Sequence, residues 1–195
     1  MTVPVLPVQL IRSVTRRLAV AAAATQSPFT GTQQVQDWGG AWWEYDLEMG
    51  IMQGRNGRLM SAFLAALKGP VNPFLLTDTS IYNGTGLGTP LVNGAGQTGQ
   101  TLITDGWSAT GLKAGDFFQL GTDTQTRLYQ LTADVVPSAG AATLQFVPAL
   151  RTSPADNAAL IVAAPQVLLR AKAAIPAPIS GADIYRFSFA AREAI

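Results

Sequence analysis

The chain has 195 residues, of which 48% are hydrophobic and only 13% are charged, against roughly 25% charged residues in an average soluble domain. Thirteen Lys and Arg against twelve Asp and Glu leave a net charge of +1, so the composition disfavours nucleic acid as the main partner. The absence of Cys and His excludes disulfides, Ser-His-Asp and Cys-His catalysis and the usual zinc sites. We therefore expect no cofactor, no metal ion and no enzymatic activity.

The N-terminal region carries an apolar run at residues 18–24 that no other uninterrupted run in the chain exceeds, and it is far shorter than the roughly 20 residues of a membrane-spanning helix. Arg12, Arg16 and Arg17 precede this run and imitate a signal peptide, but the start of the chain is apolar and contains proline. We expect no membrane span and a cytoplasmic start.

One strand and a hairpin are predicted in the first fifty residues. Residues 8–20 alternate imperfectly and favour a strand, although a helix stays possible. Residues 25–34 are rich in Ser, Thr, Pro and Gly and are predicted to be a loop. Residues 33–38 then lead through Gly39-Gly40 to residues 42–52, which indicates a hairpin with its turn at the glycine pair.

The second arm of that hairpin has the clearest pattern in the chain. Alternate residues from Trp43 to Met49 are apolar, while Trp42, Glu44, Asp46 and Glu48 share the opposite face. After it, apolar residues at spacings of three and four predict an amphipathic helix over about 56–68, ended by Gly69-Pro70. Residues 73–77 predict a short strand.

The composition changes near residue 78, and short apolar stretches separated by turn signals continue to about residue 164. This spacing predicts a small β-barrel or sandwich. We therefore expect a mainly β protein with one short amphipathic helix. Residues 1–77 and 165–195 would form a β-sandwich-like core domain, and residues 78–164 an inserted small β-barrel lobe.

Three candidate sites have simpler explanations. The glycines at 84–88 lack the strand and helix of a phosphate-binding motif, so a flexible loop is expected there, as part of a longer loop over about 84–111. The aspartates of the insert are expected to cap turns rather than to bind calcium; they are Asp105, Asp116, Asp123 and Asp134. Glu44 and Asp46 have the spacing of a glycosidase pair, but any solvated strand face looks the same.

Several segments, taken in order, resemble the distal-tail or tail-tip structural proteins of long-tailed bacteriophages. They read SPFTGTQQVQDWGGAWWEYDLEM, ALKGPVNPFLLTD, GTGLGTPLVNGAGQTGQTLITDGW, AGDFFQLG and LYQLTADVVPSAGAATLQFVPALRTSP. The resemblance covers roughly residues 25–190. It implies a β-rich domain that assembles as a ring, commonly of six subunits, between the tail tube protein and the tail-tip hub or baseplate proteins.

The resemblance also implies location in the virion tail tip, reached from the host cytoplasm, and it carries over no catalytic residue. We expect Trp42, Phe63 and the Gly-rich segment 84–99, with Gly86 and Gly94, at or near subunit contacts. The low charge is consistent with assembly, because neighbours then cover apolar surface.

Two other functions stay open at this point. A carbohydrate-binding module that aids host attachment would use Trp42, Trp107 and the β-rich insert. A carboxylate hydrolase would use Glu44 or Asp46. The exposed face of Trp42 needs a cover, which could be a partner subunit, a sugar or a loop of the same chain such as SPFTG.

Overall fold

The computed structural model describes residues 2–7, 11–81, 83–181 and 183–195. In these ranges the protein is mainly β with one α-helix. The strands of the first half are β1 Ile11–Gln26, β2 Gln33–Met49, β3 Met52–Gln53, β4 Phe74–Thr77, β5 Gly88–Val92 and β6 Thr101–Trp107, and the helix is α1 Arg55–Leu67. The later strands are β7 Phe117–Leu120, β8 Arg127–Leu131, β9 Ala142–Val147, β10 Gln166–Ala171, β11 Ile179–Ser180, β12 Ile184–Tyr185 and β13 Ser188–Glu193.

The main sheet has five strands in the order β1-β2-β13-β10-β4, all antiparallel. Its strands come from residues 11–77 and 166–193, so the two ends of the chain meet in one sheet. The predicted alternation along β2 is confirmed, because Trp43, Tyr45, Leu47 and Met49 are all buried. Period-two burial therefore fixes which face of this sheet carries the core.

A second layer covers that face. It consists of α1 and a small sheet in the order β11-β12-β3. Met60, Leu64 and Leu67 of the helix pack in the same cluster as the buried residues of β2, and Met52 and Tyr185 join them from the small sheet. The core domain is therefore β-sandwich-like, as the sequence predicts.

The helix begins and ends close to the predicted bounds of about 56–68. The C-cap residue Lys68 adopts the left-handed conformation, and its backbone N–H donates to the Ala65 carbonyl at 3.1 Å. Gly57 lies on the buried side directly against the Tyr185 ring. This close approach lets α1 pack tightly against the small sheet.

Residues 88–161 form a second curved sheet, in the order β5-β6-β9-β8-β7. Its two edge strands are joined by the segment at 159–161, where Ala159 bridges Leu91 and Ile161 bridges Gln119. Phe118, Tyr129 and Phe146 fill its interior with ring centroids 5.2 to 5.3 Å apart. The lobe is therefore barrel-like and has its own aromatic core.

The insert is not independent of the core domain. Phe117 and Leu128 belong to the insert strands but pack in the core cluster, and the Trp43 and Phe117 rings lie 5.7 Å apart. The Trp43 indole N–H donates to the Leu128 carbonyl at 2.9 Å. These contacts fix the lobe against the face of β2.

Two predictions of local structure are wrong. The flexible loop expected around residues 84–111 contains β5 and β6. Here glycine permits close strand approach, because a Cβ at Gly106 would lie 2.4 Å from the Thr89 carbonyl oxygen. Composition alone suggested a loop where two backbones pass close together.

The predicted turn at Gly39-Gly40 is the second correction. Strand β2 runs through both glycines, and the hairpin turn lies instead at residues 27–32. Opposite the pair, the register shifts from Val20 with Ala41 to Ala22 with Asp37. Gly39 has φ 72°, a conformation that suits a bulge, so the glycines bend a long strand rather than reverse it.

Candidate functional site

The hairpin of β1 and β2 extends well beyond the rest of the main sheet. Strand β13 accompanies β2 only along its inner part, with the last pairing between Glu44 and Arg192. Beyond it, residues 18–41 form a two-stranded ribbon, which we call the arm. Residues 18–26 at about 3.3 Å each make the arm roughly 30 Å long.

Most side chains of the arm are exposed to solvent. Residues 28–39 are all exposed, and the large apolar side chains Val20, Phe29, Val35 and Trp38 are among the most exposed of the described residues. Asp37 is the only charged residue in 18–41. An isolated two-stranded ribbon is marginally stable in water, and a flat uncharged edge invites pairing with another chain.

The tip of the arm is held in one conformation by its own hydrogen bonds. The Ser27 hydroxyl accepts from the backbone N–H groups of Phe29 and Thr30 at 3.4 and 3.3 Å. The Ser27 N–H donates to the Thr32 carbonyl at 2.9 Å. This turn presents Phe29 with 95% of its surface exposed.

At the base of the arm, the outer face of the sheet carries a charged network. Glu44 accepts from Lys172 at 2.9 Å and from Arg17 at 2.7 Å, and Arg17 also contacts Asp46 at 2.7 Å. Hydrogen bonds from Lys172 and Arg17 lower the pKa of Glu44 to about 2. A carboxyl held ionised in this way is a poor proton donor, so the geometry does not favour the hydrolase hypothesis.

Acid is expected to weaken the fold through Glu44. Its pKa lies near 2 in the folded protein against an ordinary value of 4.5, so its contribution is present above pH 4.5 and is lost as the pH falls towards 2. The melting temperature of the Glu44→Gln variant should therefore fall less steeply across this window than that of the wild type. Parallel curves for the two proteins would contradict the assignment.

The matched control for this pH series is Glu48→Gln. Its carboxylate lies on the same strand but forms a solvent-exposed pair with Arg12 at 3.3 Å. Exposed pairs contribute little to stability, so the control should follow the wild-type curve.

Trp42 is covered from within the chain. The Arg192 guanidinium lies 4.0 Å above the ring centroid, and the indole N–H donates to Glu44 at 3.3 Å. The ring is half-buried at the base of the arm. The cover is thus a cation on β13 and not the loop considered from the sequence.

The other predicted contact residues lie in different parts of the fold. Phe63 is half-buried on α1, against the core. Gly86 and Gly94 lie in loops of the insert: the Gly86 carbonyl accepts from Ser108, and the Gly94 N–H donates to Asp156 at 2.7 Å. Their placement at subunit contacts stays a prediction.

Residues considered for sugar binding and calcium binding form hydrogen bonds within the insert instead. Trp107 is 6% exposed, and its indole N–H donates to Thr104 at 2.8 Å, so it offers no open ring for a sugar. Asp116 and Asp134 accept backbone N–H bonds from Lys113 and Ala114 at 2.7 and 2.9 Å. These two aspartates cap turns, as the sequence suggests.

The sequence interpretation missed Trp38 and Phe29. Trp38 is 64% exposed on the arm, while the sequence placed the emphasis on Trp42. A signal was present, because Asp37 is the only charged residue between Arg17 and Glu44. This signal was not used, because residues 25–34 were expected to form a loop.

An apolar cavity of about 410 Å³ lies at the opposite side of the core domain. The N-terminal segment lines it with Val3 and Pro4, α1 contributes Phe63 and Leu67, and Pro73 closes it. The N-terminal segment is anchored by hydrogen bonds between Leu75 and both Pro4 and Leu6. The cavity is therefore a fixed feature of the surface.

No protein-family model matches the sequence, and no curated protein matches it significantly. In the ranges that the structure describes, no helix is both long enough and apolar enough to cross a membrane. What the molecule can do must therefore be argued from its own surface.

Proposed function

We propose that this chain is a structural subunit of a bacteriophage tail that assembles with copies of itself into a ring of six subunits. The ring would join the tail tube protein to the tail-tip hub or baseplate proteins, so the mature location is the virion tail tip. The arm is the observation that carries the proposal, because a ribbon of this length with a single charged residue needs a cover from another chain.

The dimensions of the arm are sufficient for a specific contact. A two-stranded ribbon roughly 30 Å long and about 10 Å wide offers on the order of 600 Å² on its two faces together. Stable protein interfaces bury about 800 Å² on each partner. The arm therefore supplies most of the surface of one such contact, and its base supplies the rest.

The charge distribution supports the same function. Arg17, Glu44, Asp46 and Lys172 are paired with one another on one sheet face, whereas the arm carries Asp37 alone. A ring needs two different complementary faces on every subunit. An arm with one charged residue and a core domain with an apolar cavity meet that requirement.

Light scattering and negative-stain imaging of the purified chain at micromolar concentration test the proposal. We expect a single oligomer with rotational symmetry, and ring density at the tip of tails that contain the protein. A monomer in solution together with tails that show no such ring contradicts the proposal.

Trp42→Ala tests whether the base of the arm takes part in assembly. Loss of the Arg192 contact should lower the free energy of unfolding of the monomer by about 0.5 to 1 kcal/mol. Association should weaken by more than tenfold, since a buried interface Trp costs about 2 kcal/mol or more when truncated. Ile103→Ala, at an exposed position of the insert, should change neither quantity. Equal losses of stability and association would place Trp42 in the core alone.

A further inference from the structure

We propose that the arm tip of one subunit, led by Phe29, inserts into the apolar cavity beneath the N-terminal segment of a second copy of this chain. The inference rests on the proposed function, because it names the contact that would join neighbouring copies. It assigns different roles to the two faces of the subunit. The arm tip is the donor, because it supplies the inserted side chain, and the cavity is the acceptor, because it receives that side chain.

The tip is built as a donor. Phe29 is 95% exposed, and the hydrogen bonds around Ser27 fix the turn that carries it. A turn whose backbone is fixed before binding loses less conformational entropy on docking. The nearest charged residue along either strand is Asp37 on one side and Arg17 on the other, so insertion desolvates no ion.

The cavity is built as an acceptor. Of its described lining residues none is charged, and the Asn72 side chain already donates to the Ala66 carbonyl at 2.9 Å. A cavity of about 150 Å³ is enough to hold benzene, so 410 Å³ accommodates the Phe29 ring with space beside it. Apolar surfaces without ions face each other in the docked state, and neither partner leaves a charge buried.

The occupant must come from another molecule. The arm leaves the sheet from β1 and β2, whereas the cavity lies beside β4, at the opposite edge in the order β1-β2-β13-β10-β4. Four strand spacings of about 4.8 Å separate the two edges, and the arm points roughly 30 Å away from the third strand. A paired ribbon cannot fold back over that distance, so the tip of a subunit cannot fill the cavity of the same subunit.

A second copy is the occupant that this geometry favours. Donor and acceptor lie at opposite edges of one sheet, which makes the contact head-to-tail and lets a ring close when the rotation matches. The faces of the arm offer on the order of 600 Å² of contact surface, and insertion of Phe29 adds to that area. The total reaches the size of a standard interface.

Three single variants test the contact by sedimentation equilibrium of the full chain. Phe29→Ser removes the donor, Ala66→Trp fills the acceptor, and Val136→Ser removes another strongly exposed apolar side chain, which lies in the insert. We expect association to weaken about 10- to 100-fold for the first two and to stay unchanged for the third.

Mixing the two defective variants gives a sharper test. Phe29→Ser chains keep an intact cavity and Ala66→Trp chains keep an intact tip, so one productive contact is possible between them. We expect heterodimers in the mixture and no larger species, while each variant alone stays monomeric. Absence of heterodimers overturns the inference, and their formation also demonstrates that both variants fold.

Cysteine crosslinking locates the contact directly, because the natural chain has no Cys. Chains with Pro28→Cys, which keep Phe29 beside the new thiol, and chains with Ala66→Cys, mixed and treated with a short bismaleimide, should give a crosslinked pair. Replacing the second variant with Val136→Cys should give none. Equal yields from both pairs overturn the inference.

The outcomes separate this inference from the proposed function. Wild-type chains that form a ring while Phe29→Ser chains form it equally well overturn the tip contact and leave ring assembly standing. Wild-type chains that stay monomeric overturn the tip contact, and they overturn the proposed function as well when the tails show no ring.

Discussion

Arg151→Met is expected to lower the free energy of unfolding by about 3 to 5 kcal/mol, since it leaves a buried carboxylate without its cation. The Arg151 guanidinium lies 2.8 Å from Glu193 Oε2 and also donates to the Ala41 carbonyl. The Glu193 side chain is 1% exposed, and its Oε2 also accepts from the backbone N–H of Trp43 at 3.0 Å. Urea unfolding monitored by Trp fluorescence measures the loss.

Lys113→Met is the matched control. It breaks a pair with Asp134 at 3.1 Å in which both side chains are more than half exposed, so a change within about 1 kcal/mol is expected. The double variant Arg151→Met with Glu193→Gln should recover part of the loss, because the buried charge is then absent. A loss below 1 kcal/mol for Arg151→Met would show that water reaches this pair.

Gly57→Ala is expected to destabilise the protein by about 1 to 3 kcal/mol, although alanine is the better helix former by about 1 kcal/mol. An added Cβ would lie 2.0 Å from Tyr185 Cδ2 and 2.5 Å from Cγ. The Tyr185 ring is buried and stacks on Phe187 at 5.9 Å, so it has no free direction in which to move. Thermal unfolding of the full chain measures the effect.

Asn56→Ala, at the neighbouring exposed position of α1, should be neutral or slightly stabilising, because only helix propensity changes there. Replacing Tyr185 by Leu in the Gly57→Ala background should restore part of the stability. A stabilised Gly57→Ala protein would mean that α1 and the small sheet separate easily.

The sequence predicts those parts of the fold where burial follows a regular period. Trp43, Tyr45, Leu47 and Met49 alternate along β2 as predicted, and the spacing of Met60, Leu64 and Leu67 locates α1 to within a residue or two. Both patterns are local, since each arises from one element packing on one face.

Prediction fails where the outcome depends on a distant partner. Gly39 supports either a turn or a bulge, and the pairing of β1 with β2 decides between them. The contact of Arg151 with Glu193 joins residues 42 positions apart, with no local pattern. The arm was not predicted for the same reason. Small and polar residues suggest a loop unless the register of both strands is known.

The position of β13 at the centre of the main sheet has a consequence for biosynthesis. Leu47 pairs with Phe189, and ribosomes add about 5 to 20 residues per second. The hairpin of β1 and β2 is therefore complete roughly ten to thirty seconds before its central neighbour is translated. Prematurely released polypeptides keep the early hairpin but lack the strand that joins it to β10, so only chains translated past residue 193 yield a complete subunit.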